Sequence, residues 1–168
     1  MKELIFETKI RAFPVAEAPE IYKELIESAI DATANAYAPY SRFNVGAAVL
    51  LKNGKIMAGS NQENAAYPSG LCAERVALFS ANAQYPDSAV LALAIAAVTN
   101  GKQVDMITPC GACRQVLLEV EKRYRSPVKI LLCGRKQIYM AESAASLLPL
   151  CFDGSDIQKD VSPPTHPL

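Results

Sequence analysis

Apolar residues recur along this chain with two different periods, and the changes of period mark its elements. ELIFETKIRAF, residues 3 to 13, partly alternates apolar and polar side chains and predicts an added strand or arm. APEIYKELIESAIDATANAYA has apolar residues at helical spacing up to the break at Pro39, which predicts a helix over about 18 to 36. FNVGAAVLLKNGKIMAGSNQ reads as two strands joined at Lys52-Asn53-Gly54-Lys55, where Asn-Gly suits a tight hairpin turn. Pro68, Ser69 and Gly70 then break the chain before LCAERVALFSANAQ, whose small and apolar residues predict a buried helix.

VLALAIAAVTN is almost continuously apolar, as expected of a central strand covered on both faces. TPCGACRQVLLEVEKRY predicts a loop turning into a helix whose inner face carries Val116, Leu117 and Val120. VKILLCG and QIYMA form a last strand pair, antiparallel because the link between them is too short for a parallel crossover. ESAASLL predicts a small helix before a Pro-containing tail. Helices interleaved with strands predict an α/β fold, a three-layer α/β/α sandwich around a mixed sheet of about five strands. The chain divides into an N-terminal arm over 1–17, one domain over 18–154 and a C-terminal tail over 155–168, with no internal repeat or linker.

Composition narrows the partners. Seventeen basic side chains balance seventeen acidic ones, so no net field draws in a nucleic acid polymer or an anionic membrane surface. The first residues include early acidic side chains without an apolar core of signal-peptide length, and no later apolar run reaches about 18 residues. The expectation is a soluble, cytoplasmic protein. Five cysteines form an odd set in such a chain, which points to metal binding or thiol chemistry rather than disulfides. The single histidine, His166, lies in the tail SPPTHPL, so chemistry in the core must proceed without imidazole.

Cys110-Gly-Ala-Cys113 has the spacing with which two thiolates grip one metal ion, a spacing shared by redox dithiols and structural zinc sites. A structural site wants four protein ligands, a redox site only the dithiol, and a catalytic site three ligands with an open position. The available third ligand is Cys72, at the start of another predicted helix, whereas Cys133 and Cys151 read as packed thiols. Helix starts suit such ligands because their positive ends and free N–H groups favour the thiolate. Three thiolates around Zn²⁺ leave a net charge of minus one. Arg75, three residues after Cys72 on the same helical face, is placed to temper it. Glu74, two positions from a ligand, can approach a metal-held water whose pKa falls from 15.7 toward ~7, and can relay its protons.

Cys72-Ala73-Glu74 followed by Pro109-Cys110-Gly111-Ala112-Cys113 matches the ligand-x-Glu and Pro-Cys-x-x-Cys signature of the zinc deaminases. Over about residues 20 to 153 the chain resembles the small homotetrameric cytidine deaminases of pyrimidine salvage, through YAPYSRFNVGAAVL, NQENAAYPSGLCAERVAL, TPCGACRQVLLE and LLPLCF. That resemblance makes residues 18–154 the catalytic domain, with one Zn²⁺ per subunit on Cys72, Cys110 and Cys113, and Glu74 as proton shuttle. It implies hydrolysis of cytidine and deoxycytidine to uridine and deoxyuridine with release of ammonia. Asn61 and Glu63 match the pair that hydrogen-bonds the ribose, and Phe43 the ring packed against the pyrimidine. The backbone of Ala73 and the carbonyls of Thr108 and Cys110 match positions that read the base.

Tyr40, Tyr67 and Phe152 correspond to aromatics through which neighbouring subunits complete each other's pockets; the alternative is that they are ordinary core aromatics. The chain departs from the family at Asn44, where proline is usual, and at CFDGSD, which replaces a Phe-Gly-Pro ending. Competing readings are a deaminase of another amino-pyrimidine, such as blasticidin S, and a nonenzymatic zinc-stabilised interaction module. The Asn-x-Glu of NQEN argues against the first, and an open fourth metal position against the second. The neutral charge balance and short final hairpin argue against a polynucleotide editor.

Overall fold

A computed structural model describes residues 1–155 and 157. Among these residues seven strands form one sheet, β1 (Ile10–Pro14), β2 (Phe43–Leu51), β3 (Ile56–Ser60), β4 (Val90–Thr99), β5 (Lys102–Gln103), β6 (Lys129–Cys133) and β7 (Gln137–Ala141). Their order is β1-β7-β6-β4-β2-β3, with β5 paired to β4. Only β4 and β6 are parallel neighbours; β6 and β7 are antiparallel, as the short link required. Three helices, α1 (Glu20–Ala32), α2 (Ala73–Gln84) and α3 (Gly111–Tyr124), complete the sandwich.

Side-chain size sets the layers. Along β4, Leu93 and Ile95 join a core with Ala77, Leu78 and Ala81 of α2 and with Leu117 and Val120 of α3. The alternate residues Ala92, Ala94 and Ala96 face Leu25, Ile26 and Ala29 of α1. Along β4, period-two alternation thus puts the large residues on the two-helix face and the alanines on the one-helix face. Gly46 of β2 lies so close to α1 that a Cβ there would stand 2.2 Å from the Ala29 carbonyl oxygen. Gly59 of β3 does the same for α2, where a Cβ would stand 2.6 Å from the Ala77 nitrogen.

The topology decides where the two cysteine-bearing helices begin. β2 is antiparallel to both β3 and β4, so β3 and β4 run in the same direction. α2 leaves from the end of β3 and α3 from the loop after β4, and both pack on the same face. Their N-termini therefore emerge along one edge of the sheet, beyond the carboxyl ends of parallel strands, where open α/β sheets place their ligands.

Several expectations need correction. The sheet has seven strands rather than five, because part of the arm pairs as β1 and a two-residue β5 folds back on β4. The strand expected over 3–13 is confined to Ile10–Pro14, ended by a proline that lacks an N–H. The first helix covers Glu20–Ala32 and tightens into a 3₁₀ turn over Thr33–Asn35. ESAASLL forms only a 3₁₀ turn, Ala145–Leu147, held between hydrogen bonds from neighbouring elements. Of the tail, only Ser155 and Ile157 are described, and His166 lies outside the described residues.

Because α1 rests directly on the backbone at Gly46, Gly46→Ala is expected to destabilise the fold by about 1–3 kcal/mol through overpacking. The urea unfolding midpoint should fall; an unchanged midpoint would contradict this close helix-on-sheet contact.

Candidate active site

Cys72 occupies the N-cap of α2 and Cys110 that of α3, with extended backbone angles at both, while Cys113 lies buried in the first turn of α3. The Sγ atoms of Cys72 and Cys110 are 3.8 Å apart and those of Cys110 and Cys113 are 3.6 Å apart. All three sulfurs lie within 4.8 Å of one another. Three vertices of a tetrahedron of Zn–S bonds of ~2.3 Å are separated by about 3.8 Å, so the donors fit a zinc ion. Among the described residues this cluster has no fourth protein ligand, which leaves one corner open. A structural, fully protein-coordinated site would fill that corner.

The charges of the cluster point the same way. Hydrogen bonding from the Cys113 thiol, then from Arg75 and Cys110, draws the Cys72 thiol down to about 5. Cys113 is pushed far above the ordinary thiol value, first by its hydrogen bond to Cys72 and then by burial. Three crowded thiols cannot all ionise on their own, because each thiolate raises the cost of the next. A divalent cation removes that conflict, and a coordinating thiol loses its proton outright. Arg75 donates from Nη2 to Cys72 Sγ at 3.7 Å, and its buried Nε has no hydrogen-bond partner among the described residues.

Glu74 follows Cys72 by two positions and is only 4% exposed. Burial raises its pKa above the ordinary carboxyl range, and the nearby Cys72 thiolate adds to the shift. It lines a cleft of about 660 Å³ together with Cys72, Ala73, Arg75, Thr108 and Cys110. Asn61 and Glu63 line the opposite wall, brought there because Gln62 pairs with Leu71 on one side and Tyr37 on the other. The Asn61 side-chain oxygen accepts from Val45 N–H at 2.8 Å, and its nitrogen donates to the Phe43 carbonyl at 3.0 Å. Glu63 accepts from the N–H groups of Tyr40 and Ser41. A hydrogen bond from the Ser41 side chain, then those backbone groups, keeps its carboxyl below the usual range.

Phe43 begins β2 and is half-buried, outside the residues that line this cleft, whereas Val45 lines it. Tyr40 and Tyr67 stand at its mouth, ring centroids 6.0 Å apart and edge to face. Phe152 lies in a separate depression beside Gln115 and Lys122. These three aromatics are 51%, 76% and 67% exposed, so they are not core residues. Cys133 is buried, and burial pushes its thiol up to about 12, in keeping with a packed side chain. Cys151 is exposed, which corrects the expectation of a packed thiol; the segment after Leu147 has no sheet or helix to fold it inward.

The motif reading did not single out Ser41, Gln62, Tyr37 or Ile107. Ser41 and Ile107 line the cleft, and Gln62 and Tyr37 hold Asn61 and Glu63 against it. Ser41 and Gln62 sit inside YAPYSRF and NQEN, so proximity to recognised motifs was the available signal.

An α/β/α sandwich with a three-cysteine metal cradle at two helix starts, and a buried carboxyl close to those thiols, fits a metal-dependent hydrolytic domain. The profile of the family described as cytidine and deoxycytidylate deaminase zinc-binding region matches residues 19–125. The chain is 41% identical over 133 residues to a cytidine deaminase of Halalkalibacterium halodurans, covering 79% of this chain and 95% of that one. A cytidine deaminase of Sporosarcina psychrophila is 39% identical over 135 residues, covering 80% and 93%. The crystal structure of a cytidine deaminase from Burkholderia pseudomallei superposes with a TM-score of 0.67 at 41% identity, covering 78% of this chain and 98% of that one. The chain belongs to the cytidine deaminase family.

The raised pKa of Glu74 carries a stability consequence. Between the unfolded carboxyl range and its higher folded value the native state holds the extra proton, so stability falls as pH rises through that window. In metal-free protein, Glu74→Gln is expected to raise Tm relative to the parent, with the gap widening as pH rises above the ordinary carboxyl range. A gap that stays flat or reverses in thermal melts would show that Glu74 is not held in an unfavourable charged state.

Proposed function

We propose that this protein is a zinc-dependent deaminase that hydrolyses cytidine and deoxycytidine to uridine and deoxyuridine, releasing ammonia, and serves cytoplasmic pyrimidine salvage. The observation that carries the reading is the convergence of Cys72, Cys110 and Cys113 beside buried Glu74 in a nucleoside-sized cleft. Cys72, Cys110 and Cys113 would hold the zinc, which would supply an acidified water.

Glu74 would take a proton from the attacking water as its oxygen adds to C4 of the pyrimidine, and pass it to N3. It would then take the remaining proton from the C4 hydroxyl and deliver it to the exocyclic amine, so that the C4–N bond breaks and ammonia leaves as the C4 carbonyl forms. A buried carboxyl with a raised pKa suits this work, because it holds a proton near neutral pH more readily than an exposed one. Arg75, donating to Cys72 Sγ, draws charge from the thiolates and keeps the metal electrophilic.

Recognition falls to the opposite wall. The Asn61 side chain has committed one amide hydrogen and one lone pair to the backbone, which leaves one of each for a ribose hydroxyl. The ionised Glu63 accepts the second hydrogen bond. The Ala73 N–H and the carbonyls of Thr108 and Cys110 address O2 and the amine, while Phe43 stays outside the residues that line the cleft. Among the described residues Arg75 is the only basic one lining the cleft, and it donates to a thiol, which argues against a bound phosphate.

The exposed rings of Tyr40, Tyr67 and Phe152 support a homotetramer in which neighbouring subunits complete each pocket. Among the described residues no helix is long and apolar enough to cross a membrane.

Purified zinc-loaded protein is expected to turn over cytidine and deoxycytidine, and to leave cytosine and dCMP essentially untouched, in an absorbance assay. Efficient turnover of cytosine would overturn the ribose-reading assignment of Asn61 and Glu63, and efficient turnover of dCMP would overturn the exclusion of a phosphate. Glu74→Ala should keep its zinc yet lose at least ~10²–10⁴-fold in kcat. Metal analysis alongside the rate separates the two properties, and a metal-loaded variant with parental activity would remove Glu74 from the mechanism.

A further inference from the structure

Immediately after the ligand Cys113, Arg114 and Gln115 both reach away from α3 to backbone carbonyls elsewhere. Arg114 Nε donates to the Pro109 carbonyl at 2.9 Å, and its Nη1 donates to the Leu147 carbonyl at 3.0 Å. Gln115 Nε2 donates to the Phe152 carbonyl at 2.7 Å. Among the described residues Arg114 forms no ion pair with a carboxylate. A permanently charged, rigid guanidinium is therefore given over to two carbonyl oxygens in a fixed fork.

We propose that Arg114 is a positioning residue that sets the Thr108–Cys110 loop, and hence the Cys110 ligand and one wall of the cleft, against the C-terminal segment. The reading rests on the metal site and reaction described above. Pro109 is the residue between Thr108 and Cys110, so fixing its carbonyl fixes the peptide that leads into the ligand. Pro109 supplies no N–H, and its carbonyl is the handle by which a side chain can hold this loop. A charge-assisted hydrogen bond is about twice as strong as a neutral one and fixes direction as well as distance.

The far end of the fork is itself anchored. Glu121, two turns along α3, accepts from Ser143 Oγ and from the N–H groups of Val128, Ala144 and Ala145. The turn carrying Leu147 is thus bound to α3 at two points, and Arg114 extends that rigid unit to the metal loop. Gln115 holds only the segment, not the loop, and so provides a control within the same helix turn.

Cobalt-substituted protein tests the assignment apart from catalysis, because thiolate-to-cobalt absorption reports the geometry of the three sulfurs. Arg114→Lys, which keeps the charge and loses the fork, is expected to fold with parental circular dichroism. It should show a shifted cobalt spectrum, and bind metal about 10–100-fold more weakly in chelator competition. Gln115→Ala should leave the cobalt spectrum at the parental position. In the zinc-loaded form, Arg114→Lys should lower kcat/KM for cytidine by about 10–100-fold.

A parental spectrum and parental metal affinity in Arg114→Lys would overturn the proposal. So would an equal spectral shift in Gln115→Ala, or an Arg114→Lys protein that does not fold, since the side chain would then serve the general fold and not the loop. Absence of cytidine turnover in the parent protein would defeat the reaction assigned above while leaving the cobalt comparison to decide the role of Arg114.

Discussion

Three sulfur atoms within 4.8 Å of one another form an arrangement that a folded chain cannot charge by itself. Each thiolate opposes the next, as the opposite displacements of Cys72 and Cys113 show. Only a cation makes all three stable together, and the two helix N-termini supply the remaining positive potential. The sheet topology exists, as far as function goes, to bring those N-termini to one edge. Parallel β3 and β4 release the chain in the same direction, and Gly59 lets α2 lie close enough on the sheet for Cys72 to meet Cys110.

The same crowding defines the roles of the charged neighbours. Arg75 faces a sulfur rather than a carboxylate, so its charge is spent on the metal cradle. Glu74 is buried beside that cradle without being one of its ligands, and burial holds its proton affinity high. The described core holds no imidazole, and Glu74 is the buried carboxyl that stands beside the thiols with its pKa raised.

Part of the molecule lies outside the family match. The family match begins at residue 19, while β1 lies at Ile10–Pro14 and pairs along all five of its residues with β7. An ion pair between Arg11 and Glu142 and a hydrogen bond from Thr8 to the Ser146 carbonyl fasten it further. The strand covers what would otherwise be the free edge of β7, and its own outer edge ends in proline. Its position is also informative about legibility. ELIFETKIRAF alternates well enough to suggest a strand, but pairing with β7 selects only the last part, and that partner is more than a hundred residues away.

The amino-acid sequence alone determined the periodic elements and the chemistry of the site. A buried run such as VLALAIAAVTN reads as a covered strand, and Cys72 with Cys110-x-x-Cys113 reads as a metal-binding set. Local spacing suffices there because residues one to three positions apart are held together by any helix. Tertiary structure alone decided what depends on distant partners: the edge strand, and the contraction of ESAASLL to a single turn clasped by Arg114 and Glu121. Both are set by hydrogen bonds between segments far apart in the chain, whose loop-closure cost and geometry are properties of the whole fold and of no single stretch of it.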